Sequence, residues 1–298
     1  MIETVQNKRL SLISEIIIFL CIILFSILVI KKITANNLEN VEYEQTMSLI
    51  IDKKTAIQEE NKLYLLKIKK DYGITVLYGS DTQKYMKKID AIEQSNENIV
   101  NNNLKTIYSS LEKYPKEVFD NLKESGFPLY ILFVDKFNNN NLALASRNNL
   151  NEYKIYISNN DKFERAFHHE MYHILEYYMI SKNKDIFKLW DNLNPKKFRY
   201  EENLANLTKD YVALIDEQTR SYITDENPYF VSKYSKSSPK EDRAEIFAEL
   251  MIMNKRKYYL EKKQNILFKA IKISNSIKEN ITKGDFYFTR YLNINIDE

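Results

Sequence analysis

The chain of 298 residues contains one cysteine, three histidines, four glycines, five prolines and one tryptophan. The single cysteine, Cys21, lies inside an apolar stretch, so the rest of the chain has no disulfide framework, no thiol nucleophile and no thiolate ligand. Any metal bound beyond that stretch must be held by histidine and carboxylate. No internal repeat is visible. The charge also lacks a dominant sign: 44 basic and 41 acidic residues are interspersed and leave a formal +3. No basic stripe with interleaved aromatics marks a nucleic-acid partner, and none is expected. What is abundant is the mixture of a folded protein, 44% hydrophobic and 29% charged, which excludes a disordered chain and supports a substantial core.

From Ile16 to Ile30 every residue is apolar except Cys21 and Ser26, and Leu10 to Ser14 extends the run to membrane-spanning length with Glu15 as its one charge. Lys8 and Arg9 precede it. No small-residue cleavage site follows, because Lys31 and Lys32 come next, which favours an uncleaved anchor over a signal peptide. Leu20 in front of Cys21, and the apolar residues after it, argue against lipidation. The expected layout is a cytoplasmic segment 1–9, a transmembrane anchor or signal peptide 10–32, a helical stalk 33–69 and a domain 70–298. That layout makes a single-pass protein of the cell membrane with its domain outside the cytoplasm, the alternative being secretion after signal cleavage.

Apolar residues at helical spacing between Leu38 and Ile68 suit the stalk. Tyr72 to Tyr78, Pro128 to Val134 and Tyr153 to Ser158 are β-branched and aromatic runs bounded by turn formers, and read as strands of one sheet. Helices are expected around Val100 to Leu111 and from Pro115 to Lys123, the second closed by Gly126. Asn138 to Asn141 and Asn148 to Asn151 read as exposed loops. A long helix is expected from Asn160 to about Ser181, with Asn160 or Asp161 as N-cap and Phe163, Phe167, Met171, Ile174 and Tyr178 as its core stripe. The remainder reads as mostly helical, broken at Pro195, Asn227-Pro228, Ser237-Ser238-Pro239 and Gly284.

All three histidines, His168, His169 and His173, fall on that long helix, and His169 to His173 reads H-E-x-x-H. Positions i and i+4 share one helix face, so both imidazoles can reach a tetrahedral Zn²⁺ with Glu170 beside it as general base. His168 points about 100° away from His169 and reads as a supporting residue. A catalytic zinc needs three protein ligands and an open position. The metzincin continuation fails, since Glu176 and Met179 stand at its glycine and histidine positions and no other histidine exists. The third ligand must be a carboxylate. The best region is Tyr234 to Glu249, where Ser238 and Pro239 open a helix and Glu241, Glu245 and Glu249 line one face, with Ala244 and Ala248 allowing close packing. Ser238-x-x-Glu241 is also a capping box, so pattern alone leaves Glu241 and Glu245 both open as ligand.

His168-His169-Glu170-x-x-His173 together with Tyr234-x6-Glu241-x-x-Ala244-Glu245-x-Phe247 resembles the lethal-factor-like branch of the gluzincin metallopeptidases, which includes the bacterial Pro-Pro endopeptidases and a set of sparsely characterised zinc-binding metallopeptidases. The resemblance covers about Tyr72 to Glu249 and includes Tyr72-Gly73-Ile74-Thr75-Val76 and Leu111-Glu112-Lys113-Tyr114-Pro115. It implies an α+β, zincin-like domain: a small mixed sheet, an active-site helix and a helical C-terminal lobe. It implies one Zn²⁺ on His169, His173 and Glu241, with Glu245 supporting a ligand imidazole and Tyr234 as hydrogen-bond donor to the oxyanion. Arg243 departs from the apolar or aromatic residue expected there and leaves the packing of that helix in doubt.

The expected function is zinc-dependent hydrolysis of peptide bonds in a peptide or protein substrate, with Glu170 taking the proton of the attacking water. The strand Tyr153 to Ser158 is the expected edge for an extended peptide. The alternative is a membrane-anchored binding or adaptor protein that keeps zinc without turnover; the retention of Glu170, which zinc binding does not need, favours catalysis.

Overall fold

The computed structural model describes Leu24, Leu28, residues 31–32, 51–148, 152–196, 198–200, 229–232, 234–252, 264–286 and 288–292. The apolar run 10–32 and the 227–228 break fall outside these residues except for Leu24, Leu28, Lys31 and Lys32; among the described residues no helix is long and apolar enough to cross a membrane. The chain divides into two compact units at 56/57. Only the second, Ile57–Glu298, carries the elements that follow.

Residues 57–72, the part of helix α1 (51–72) that lies in this unit, are packed: Ile68 and Asn61 are fully buried, and Tyr64 and Leu65 pack on the main core. Asn61 is satisfied there by Glu97 and by Asn101 of a neighbouring helix. A buried amide with partners costs little, whereas an exposed spacer would not have one.

The elements then run β1 (Thr75–Leu77), a 3-10 turn (Gly79–Thr82), α2 (Gln83–Ile89), β2 (Ala91–Glu93), α3 (Glu97–Leu111), α4 (Lys116–Glu124), β3 (Leu129–Phe137), β4 (Ala143–Asn148), β5 (Glu152–Ser158) and α5 (Phe163–Lys182). After 3-10 turns at Trp190–Leu193 and Tyr234–Lys236 come α6 (Pro239–Met251), α7 (Gln264–Asn280) and α8 (Thr289–Leu292). The architecture is α+β with a small mixed sheet of order β1-β3-β5-β4, to which β2 adds by pairing with β3. β1, β3 and β5 are parallel, while β2 and β4 run antiparallel to their partners. Ile131 to Val134 of β3 are all at 0% exposure, as a central strand covered on both faces requires.

Two expected features shift. Tyr153–Ser158 is not an edge strand: β5 lies between β3 and β4, so its backbone is already paired on both sides, and β4 is the strand at that end of the sheet. β4 occupies a stretch left unassigned between two asparagine-rich loops, and its sequence, Ala-Leu-Ala-Ser-Arg-Asn, has little β propensity; pairing with β5 makes it a strand. The N-cap of α5 is Lys162, with no side-chain cap. Asn160 instead folds the approach, its Oδ1 accepting from the Lys162 amide and its carbonyl from Phe163, the Asx-turn alternative to capping.

The expected stripe of α5 is buried throughout: Phe163, Phe167, Met171, Ile174 and Tyr178 join the core that fills one side of the sheet. The other face carries a smaller cluster of Met86, Leu132, Val134, Phe137 and Tyr156. Trp190, Phe286 and Phe288 are core residues as well. α6 is opened by Ser238, whose Oγ accepts from the Glu241 amide, and by Pro239 in the first turn. From Asp242 to Met251 every residue of α6 is buried. Ala244 and Ala248, both at 0% exposure, permit its close packing on α5. A helix so enclosed must satisfy each charge it carries, and those partners define the site.

Candidate metal centre

α5 and α6 bring the expected residues together. His169 and His173, one turn apart on α5, meet Glu241 in the first turn of α6, and one ligand atom from each lies within 4.8 Å of the others. The His169 Nε2 to Glu241 Oε2 distance is 3.0 Å, His173 Nε2 to the same oxygen 3.3 Å, and the two Nε2 atoms are 3.2 Å apart. Ligand atoms of a tetrahedral zinc at about 2.0–2.1 Å stand roughly 3.3 Å from one another. The donor set therefore fits zinc in both chemistry and spacing.

Hydrogen bonding alone explains the cluster poorly. The Glu245 carboxylate lies 2.8 Å from Nδ1 of His169, and a neutral ring that donates there has only a lone pair at Nε2. That lone pair faces another imidazole nitrogen and a carboxylate oxygen. Positive charge at the centre resolves the conflict. Burial pulls the pKa of His169 down, yet hydrogen bonds to Glu241 and Glu245 outweigh it and raise it to about 10. Burial would lift Glu241 and Glu245, but the imidazoles hold the first well below the usual carboxylate range, and Arg165 with His169 does so for the second. The residues demand a cation there, a proton on His169 or a divalent metal in its place.

Glu170 is buried at 7% exposure, and burial raises its pKa against the opposing pull of His169 and His173. The backbone N–H of Ala145 on edge strand β4 donates to its carboxylate, so Glu170 stands between the histidines and the open edge of the sheet. Tyr234, in the 3-10 turn before α6, places its ring centroid 6.0 Å from that of His169. Its phenol hydrogen-bonds to Glu241, and burial, followed by Glu241 and Glu170, drives its pKa far up and keeps it a donor. Glu241 is thus no capping-box side chain: Ser238 caps the helix alone, and the carboxylate is free to face the imidazoles.

His168 points away from the cluster. It is fully buried, with Nδ1 2.7 Å from the Tyr114 hydroxyl, and burial lowers its pKa to about 4. Arg243, where the resemblance led to the expectation of an apolar or aromatic residue, pairs with Glu176 and lies 4.3 Å from the ring centroid of Phe187 and 5.3 Å from that of Trp190. The doubt about this helix is thereby removed: the guanidinium is packed as an aromatic-stacked ion pair.

Two groups of supporting residues were not foreseen. Arg165, one turn before His169, holds Glu245 at 2.6 Å and Glu249 at 2.8 Å; a cation four residues before a ligand histidine, facing a glutamate stripe, was a readable signal. Beside Glu241, Asp242 accepts through Oδ2 from Lys269 at 2.7 Å, Tyr200 at 2.8 Å and Trp190 at 3.0 Å. No local pattern announces that convergence.

No family model matches the chain, and no curated protein matches it. Among solved structures it is similar to a "putative zinc-binding metallo-peptidase" from Bacteroides caccae ATCC 43185, with 14% identity over 79% of this chain and 90% of that one and a TM-score of 0.48. At that identity and overlap the likeness assigns no activity, which rests on the side chains described above.

Proposed function

We propose that the protein is a zinc metallopeptidase of the gluzincin type, with His169, His173 and Glu241 as ligands of one Zn²⁺. The observation that carries this reading is the triangle of two Nε2 atoms and one carboxylate oxygen at 3.0 to 3.3 Å with Glu170 alongside. When bound, zinc would supply an acidified water and a Lewis acid for the scissile carbonyl. Glu170 accepts the water proton and returns it to the leaving amine; its raised pKa suits a base that must also act as an acid. Tyr234, held protonated, donates to the developing oxyanion. The Glu245 carboxylate fixes the His169 tautomer through Nδ1.

An extended peptide suits the side of β4 that pairs with no strand among the described residues, beside Glu170, rather than β5. On the same reading the residue 10–32 run anchors the enzyme in the cell membrane with the domain outside; membrane fractionation and external proteolysis of intact cells test that part separately.

The direct test compares the full-length protein with Glu170→Gln on a diverse peptide mixture, with zinc content measured for both. Cleavage by the first, and a fall of about 10²- to 10⁴-fold at equal zinc content in the second, supports the reading. A zinc-loaded parent protein inert on every peptide refutes turnover and leaves the zinc-holding adaptor.

A further inference from the structure

We infer that Arg165 is a positioning residue for the metal centre: its guanidinium holds one oxygen of Glu245 and so aims the other at His169 Nδ1. This rests on the metallopeptidase reading of the site and extends it one shell outward.

Arg165, His169 and His173 lie at four-residue intervals on α5 and share its α6-facing side. Opposite them Glu241, Glu245 and Glu249 lie at the same interval on α6. The two helices are matched turn for turn. The histidines meet Glu241 at one end, and Arg165 meets Glu249 at the other. Glu245 is shared, with Oε1 2.8 Å from His169 Nδ1 and Oε2 2.6 Å from Arg165 Nη2, while Arg165 Nε lies 2.8 Å from Glu249 Oε1. The side chains of Arg165, Glu245 and Glu249 are only 13%, 2% and 9% exposed, so water screens these bonds little.

The arrangement has a chemical purpose beyond joining two helices. Glu170, Glu241, Glu245 and Glu249 are four carboxylates crowded at one interface, and a zinc with three protein ligands can also take a fourth. An untethered Glu245 has the reach and charge to swing toward the metal, abandoning Nδ1 and filling the position that water needs. With one oxygen held by a guanidinium and the other by His169, it can do neither. The planar fork of arginine engages two carboxylates on successive turns through different nitrogens, which a lysine ammonium, a single point charge, does not reproduce.

The test measures zinc affinity by chelator competition and the visible spectrum of the Co²⁺-substituted full-length protein for Arg165→Lys, Arg165→Met and Glu249→Gln, with the melting temperature of each metal-free form. Both Arg165 variants are expected to bind zinc about 10- to 100-fold more weakly and to shift the cobalt spectrum, whereas Glu249→Gln, which spares the Arg165–Glu245–His169 chain, lowers the melting temperature but keeps affinity within about threefold and leaves the spectrum unchanged. Should Arg165→Met fail to fold, Arg165→Lys carries the comparison. Unchanged affinity and spectrum in the folded Arg165 variants overturn the inference, as does a Glu249→Gln protein that loses affinity as much as they do, since that would mark a packing bridge only. A parent protein that takes up no zinc overturns the metallopeptidase reading itself, and the two failures are therefore distinguishable.

Discussion

Glu245 and Glu241 sit on opposite sides of the same imidazole: the first is 2.8 Å from His169 Nδ1, the second 3.0 Å from His169 Nε2. Their exchange for glutamine should therefore differ in kind. Glu241→Gln removes an anionic ligand and is expected to leave the purified protein without stoichiometric zinc. Glu245→Gln keeps a hydrogen-bond acceptor at Nδ1 and is expected to weaken zinc by about 10- to 100-fold while still saturating at high metal. Metal analysis after dialysis decides it, and zinc lost from Glu245→Gln but kept by Glu241→Gln would reverse the assignment.

Tyr234 hydrogen-bonds to Glu241 and is held protonated by burial and by the surrounding carboxylates. If its phenol meets the oxyanion, Tyr234→Phe should lower kcat by about 10²- to 10³-fold with KM and zinc content close to those of the parent. A loss confined to KM would instead make the tyrosine part of the substrate wall.

The Asp242 carboxylate is fully buried and collects Lys269, Tyr200 and Trp190 on a single oxygen, with both Asp242 and Lys269 at 0% side-chain exposure. Burial raises the pKa of Asp242 and lowers that of Lys269, so each ion depends on the other. Lys269→Met strands the carboxylate and should cost about 3–5 kcal/mol in chemical denaturation. Pairing it with Asp242→Leu should recover part of that loss, and two additive losses would argue against a coupled pair.

His168 gives the molecule an acid-sensitive core. Its pKa falls from 6.5 to about 4 because it is buried, so the folded state binds fewer protons than the unfolded one between those values. The contribution is complete above pH 6.5 and is lost as pH falls through 4, about 3 kcal/mol in all. Unfolding free energies of the metal-free protein, measured from pH 7 to pH 4, should fall more steeply for the parent than for His168→Gln. Parallel curves for the two proteins would count against this.

Much of the site is local chemistry and was legible as such. The four-residue spacing of His169 and His173, the Ser238-Pro239 helix start and the apolar stripe of α5 each follow from the geometry of a single helix, and each is seen in place. β3 and β5 announced themselves by β-branched and aromatic runs, whereas β4 could not, because Ala-Leu-Ala-Ser-Arg-Asn becomes a strand only when β5 is beside it. The error over the edge strand has the same origin: strand order is a property of the sheet and leaves no mark on any one strand.

The sequence by itself determined that two histidines share a helix face with a glutamate beside them, that no thiol and no further histidine could complete a metal site, and that a carboxylate from a later helix must do so. Only the tertiary structure decided which carboxylate faces the imidazole Nε2 atoms, that Arg165 reaches across some 80 residues of chain to Glu245, and that Arg243 answers Glu176. The reason is rotational. Glutamates at 241, 245 and 249 are equivalent along the chain, and it is the register in which α6 packs on α5, set by Ala244, Ala248 and the buried charges between the helices, that gives each a different neighbour.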